Sequence, residues 1–139
     1  MVQLIVGNKG KGKTKVLLER ANEEIKKTSG NIVYLDKSTK HMYELNNKIR
    51  LINVLDYSID SSDAFVGFIS GIIAADHDLE QIYFDSFLSL ACLEGQDYEE
   101  TLKKLEDISN KFNIILVLTL TSDMSALSDE IKSKVIVSL

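Results

Sequence analysis

The chain has 139 residues, 45% hydrophobic and 27% charged, with a formal net charge of −5. That is the length of one domain, residues 1–139, able to bury roughly 68–70% of the surface its unfolded chain exposes, so no metal or disulfide staple is needed for folding. The mild acidity, with Arg20 and Arg50 as the only arginines, argues against binding along a nucleic-acid backbone, which takes clustered basic side chains.

The first element is VQLIV at residues 2 to 6, a short apolar run that predicts a strand. It leaves no room for the basic and apolar regions of an export signal, so a cytoplasmic protein is expected. Directly behind it stands GNKGKGKT, residues 7 to 14, which fits the phosphate-binding P-loop pattern GxxxxGK[ST] with Gly7, Gly12, Lys13 and Thr14 in the defining positions. The chemistry asks for these residue types. A phosphate that closely approaches backbone N–H groups leaves no room for Cβ atoms, and Gly7, Gly10 and Gly12 supply that room. The helix that follows turns its unpaired N–H groups toward the same point. The expected nucleotide-binding set is therefore Gly7, Asn8, Lys9, Gly10, Lys11, Gly12, Lys13, Thr14 and Lys15. Within it Lys13 reaches the β and γ phosphates, the Thr14 hydroxyl holds Mg²⁺, and Lys9 and Lys11 act as local phosphate-attracting charges.

Residues 13 to 27 carry Val16, Leu17, Ala21 and Ile25 at helical spacing, and Thr28, Ser29 and Gly30 stop the helix. NIVYL (31 to 35) predicts a second strand, ending at Asp36. KIRLINV (48 to 54) alternates better than the others and reads as a short edge strand or an extended connection. AFVGFISGIIAA (64 to 75) is too short to span a bilayer, which takes about 20 apolar residues. It predicts a buried helix whose Gly67 and Gly71 pack closely on a sheet. QIYF (81 to 84) predicts a strand ending at Asp85, and Cys92 in FLSLACL reads as a small core residue. Residues 98 to 112 have Asp97 as N-cap, Glu100 three residues on, and an apolar face of Tyr98, Leu102, Leu105 and Phe112. NIILVL (113 to 118), followed by TLTS, and KVIVS (134 to 138) complete the strands. Most runs are apolar on nearly every residue, the pattern of parallel strands covered on both faces. Strands alternating with helices imply an α/β sheet.

The text IYFDSFLSL, residues 82 to 90, resembles the Walker B region of the RecA and KaiC group of P-loop ATPases, where an apolar strand ends in Asp-Ser before an apolar stretch. The resemblance runs over most of the chain. It implies a three-layer αβα sandwich around a mainly parallel five-stranded RecA-like sheet. Counting only the core strands, the implied order is 5-1-4-3-2, with strand 2 to 6 between the Thr119 strand and the C-terminal strand, and the Asp85 strand beyond Thr119. It also implies ATP and Mg²⁺ as ligands, Thr14 and Asp85 for the metal, and Lys13, Asp36 and Asp85 as catalytic groups. Asp36 stands where this group usually places a glutamate that orients the attacking water, and Thr119 and Thr121 stand near its polar sensor position. The GKGKT text is also similar to that of cobalamin adenosyltransferases, whose Asp-Glu after the strand is here Asp85-Ser86.

Three functions follow as expectations. The first is a small RecA-like ATPase with weak intrinsic hydrolysis, coupled to self-assembly or a protein partner, because aspartate replaces glutamate at position 36 and neither arginine is placed as a finger. The second is a nucleotide-binding regulatory module that hydrolyses little. The third is a small-molecule phosphotransferase or adenosyltransferase, which needs an acceptor pocket that only segments 36 to 47 and 119 to 133 are free to build.

Overall fold

The computed structural model describes residues 1–139. Six parallel strands form one sheet: β1 (Val2–Gly7), β2 (Asn31–Asp36), β3 (Arg50–Asn53), β4 (Leu79–Phe84), β5 (Ile115–Thr121) and β6 (Val135–Ser138). Their spatial order is β3-β2-β4-β5-β1-β6. The sheet thus has six strands, not the expected five in the order 5-1-4-3-2. Residues 50 to 53 are a sixth strand, registered on β2 from Val33↔Arg50 to Asp36↔Asn53. The neighbour relations around the first strand hold, with β1 between β5 and β6 and β4 beyond β5.

Both faces of the sheet are apolar because successive side chains on each strand point to opposite faces. Ile5, Ile32, Tyr34, Tyr83 and Val117 meet Leu17, Leu18 and Ala21 of α1 (Lys13–Glu24) on one side. Leu4, Val6, Val33, Leu35, Ile82, Phe84, Leu116 and Leu118 face the other side. There they pack on α2 (Ser62–Ala75), through Phe65, Ile69 and Ile73, and on α4 (Glu99–Phe112), through Leu102 and Leu105. Two one-turn helices, α3 (Phe87–Leu90) and α5 (Asp129–Lys132), follow β4 and precede β6. No helix is long and apolar enough to cross a membrane.

Several local expectations change. α2 buries one face only, and a Cβ built at Gly67 or Gly71 would meet nothing within 4 Å, so neither glycine serves a close approach to the sheet. Cys92 is exposed: it sits in the left-handed region at φ 60°, which turns it out from between buried Ala91 and Leu93. Asp97 is not the N-cap of α4, which is Tyr98, but its Oδ1 accepts the Glu99 N–H at 3.0 Å one step earlier. Phe112, in the last turn of α4, is half exposed, because Asn113 turns left-handed at φ 54° and carries the chain away into β5. The C-terminal strand is the second sheet edge, with alternate residues exposed and Ile136 open to solvent.

Candidate functional site

A parallel sheet brings the carboxyl ends of its strands to one edge, where open α/β sheets bind ligands. In register, Gly7 lies beside Thr121 and Phe84 beside Leu118, while Leu35 lies beside Phe84. The next residues, Asp36, Asp85 and Thr119, therefore arrive at one place from three strands. Over this edge lies a cavity of about 560 Å³. Its hydrophobic lining is limited to Phe87 and Leu88, and it is otherwise built from the glycine-rich loop and the strand ends.

The loop's geometry follows from its glycines. Gly10 and Gly12 have φ of +84° and +92°, a region that costs an L-residue roughly 1–2 kcal/mol. A Cβ at either would meet nothing within 4 Å, and both glycines line the cavity. Gly12 is the N-cap of α1 and contributes no side-chain bond, so the first N–H groups of that helix stay free for an anion. Lys13, with Nζ donating to the Asn8 carbonyl at 3.1 Å, arches back over the loop. Partial burial holds its ammonium below the usual lysine range, and the nearby Asp85 carboxylate offsets part of that effect. The Asn8 amide donates to Asp123 Oδ1 at 2.5 Å and ties the loop to the segment after β5. Gly7 sits against the C-terminus: a Cβ there would lie 3.1 Å from Leu139 Cβ.

Thr14 and Asp85, 71 residues apart, meet directly. The Thr14 hydroxyl donates to Asp85 Oδ1 at 3.0 Å, and the buried Tyr34 hydroxyl donates to Asp85 Oδ2 at 3.0 Å. Burial first, and Asp85 second, push the Tyr34 phenol far above its ordinary value, so it remains a donor. The chain then turns sharply. Ser86 takes a left-handed φ of 70°, and its N–H is held by Thr119 Oγ1 at 2.7 Å. Thr119 thus supports the turn after β4 as well as lining the cavity, while Thr121 lines it from the end of β5.

Asp36 is placed differently from the expected water-orienting group. It is 6% exposed, does not line the cavity, and its Oδ1 accepts the Lys37 N–H at 2.7 Å. Burial raises its carboxyl above the usual range against the lowering effect of that bond, and Asp85 raises it further. Lys9 and Lys13 both line the cavity, whereas Lys11 and Lys15 are exposed outside it.

Sequence reasoning missed three residues. Lys37 lines the cavity, with Nζ donating to Ser89 Oγ at 2.7 Å. Its position right after a strand ending in an acid was the available signal. Tyr34 and His41 carried no signal, since their nearness to Asp85 and Asp36 comes from the pairing of β2 with β4. With Lys9, Lys13 and Lys37 against Asp85 and Glu94, the cavity is net basic in an acidic chain. No family model and no curated protein matches the chain.

Proposed function

We propose that the chain binds a nucleoside triphosphate with Mg²⁺ through a P-loop at residues 7 to 15, and that it is a small ATPase of the RecA and KaiC kind. The observation that carries this reading is the 3.0 Å contact between the Thr14 hydroxyl and Asp85. It joins the last residue of the loop motif to an acid at the end of another strand, the two protein groups such a metal site requires. The residues present fit the ligand: open space above Gly10 and Gly12, free N–H groups at the start of α1, and three lysines in the cavity wall. Thr14 and Asp85 would hold Mg²⁺, which would supply charge neutralisation for phosphoryl transfer.

The chain's own part is binding and orientation. Backbone N–H groups at Lys13, Thr14 and Lys15 hold phosphate oxygens, and the Lys13 ammonium leaves the Asn8 carbonyl to pair with the terminal phosphates. The Thr14 hydroxyl would be free to hold the metal, and Asp85, fixed by Tyr34, would be its carboxylate partner. ATP is preferred over GTP in this reading because no NKxD-type guanine-reading motif occurs.

Hydrolysis by the isolated chain is weak in this account. Arg20, Arg50 and Asp36 do not line the cavity, and Asp36 Oδ1 is engaged by the Lys37 N–H. An arginine finger supplied from outside is worth about 10³ to 10⁵ in rate. Turnover measured across a range of chain concentrations is expected to be negligible when dilute and to grow on self-assembly or with an added partner. A dilute chain hydrolysing ATP near 1 s⁻¹, an ordinary enzyme rate of roughly that order, would contradict the proposal. The absence of Asp36 from the cavity lining also favours a second reading, a nucleotide-binding regulatory module without turnover. In that case no concentration or partner raises the rate.

A further inference from the structure

Beside the cavity, the paired ends of β2 and β4 gather Asp36, His41 and Asp85. One ligand-capable atom from each lies within 4.8 Å of the others. The two carboxylates are 6% and 4% exposed, and neither has an ion-pair partner among the lysines, arginines and histidines. Asp85 is compensated by two hydroxyl donors. Asp36 Oδ2, by contrast, is buried with no donor at all. Two neighbouring buried carboxylates, one with an unsatisfied oxygen, carry a desolvation and repulsion cost that a bound cation offsets.

The third member selects the kind of cation. His41 Nδ1 lies 3.2 Å from Glu44 Oε1, which leaves Nε2 as the ligating nitrogen. An imidazole whose other nitrogen is held by a carboxylate is the usual arrangement of a metal-binding histidine, since the carboxylate fixes the ring and raises its basicity. One imidazole with two carboxylates suits first-row transition metals, whereas Mg²⁺ keeps to oxygen ligands and water.

We propose that Asp36, His41 and Asp85 form a binding site for a divalent transition-metal ion of the Mn²⁺ class, occupied without nucleotide. The site shares Asp85 with the magnesium position proposed above and does not depend on that reading. It gives Asp36 a role as ligand, and Glu44 one as the group that orients His41.

The test uses Mn²⁺ alone, added to the chelator-treated full chain. Calorimetry is expected to give one Mn²⁺ per chain, and pulsed electron paramagnetic resonance is expected to show coupling to a single imidazole nitrogen. His41→Ala should abolish the nitrogen coupling. Because loss of an outer-shell partner alone costs about 10- to 100-fold in metal affinity, His41→Ala and Asp36→Asn should each weaken binding by on the order of tenfold or more. The wild-type nitrogen signal keeps the test decisive even where a variant folds poorly. No binding at millimolar Mn²⁺, or bound Mn²⁺ without nitrogen coupling, would overturn the site. A chain that binds Mn²⁺ but not Mg·ATP removes the nucleotide reading and leaves this one standing; the reverse result removes this one alone.

Discussion

Tyr34→Phe isolates the contact that fixes Asp85. The substitution keeps the ring, which stacks on Tyr83 at 6.4 Å between centroids, and removes only the hydroxyl that donates to Asp85 Oδ2. Both partners are buried. A hydrogen bond to a charged group contributes about 1.5–3 kcal/mol. At about 2.1 cal/mol/K per residue, 139 residues give an unfolding entropy near 0.29 kcal/mol/K, so the loss corresponds to a fall in melting temperature of about 5–10 °C. Tyr83→Phe is the matched control. Its hydroxyl donates at 2.6 Å to the neutral Gln81 Oε1, a bond worth about 0.5–1.5 kcal/mol, or about 2–5 °C. Calorimetric melts of the three proteins at neutral pH in chelator check both figures. Equal losses, or a Tyr34→Phe midpoint within about 1 °C of wild type, would refute the view that Asp85 is held as a buried carboxylate by this phenol.

Asp36→Asn should raise the melting temperature at pH 7. A carboxyl whose folded-state pKa is raised binds its proton more tightly folded than unfolded, so its contribution to stability is present at low pH and lost as pH rises through the interval above 3.8. The gap between variant and wild type should close below about pH 3.8, and a variant that melts lower at pH 7 would contradict the assigned burial. Glycine replacements should differ in sign: Gly12→Ala, at φ +92°, should lose roughly 1–2 kcal/mol and weaken triphosphate binding, while Gly67→Ala, in the open face of α2, should gain roughly 0.5–1 kcal/mol. Melts of the two variants beside wild type read both, and the same direction for both would contradict the backbone assignment.

What could be read in advance was local. The strand, loop and helix at residues 2 to 24 were legible because an apolar run, glycines at turn positions and a helical face follow one another within a few residues. Asp85 was legible for the same reason, as an acid directly behind the apolar residues Ile82, Tyr83 and Phe84. The edge segment 50 to 53 was ambiguous, since two apolar residues between Arg50 and Asn53 satisfy either an edge strand or an extended link until a partner strand is known. Burial that depends on a single dihedral was not legible: Cys92 leaves the core because of its positive φ, and apolar neighbours in sequence cannot report that. The small residues of α2 suggested close packing, yet their face has nothing against it. Long-range pairing was the deepest gap. Asp36 suggested a group facing ligand, but the pairing of β2 with β4 sets it against Asp85 and His41, while Lys37, one residue on, takes the cavity wall.

Calorimetric titration of Mg·ATP into the wild-type chain and into Lys13→Ala tests the central claim most directly. Lys13 is partly exposed at the start of α1, and its side chain's single bond is to the Asn8 carbonyl, so its loss should leave the melting temperature nearly unchanged. The account predicts saturable binding of one Mg·ATP by the wild type and an affinity lower by on the order of tenfold or more in the variant, about 1.4 kcal/mol or greater. Equal affinities, or a wild type that binds no triphosphate, would contradict it.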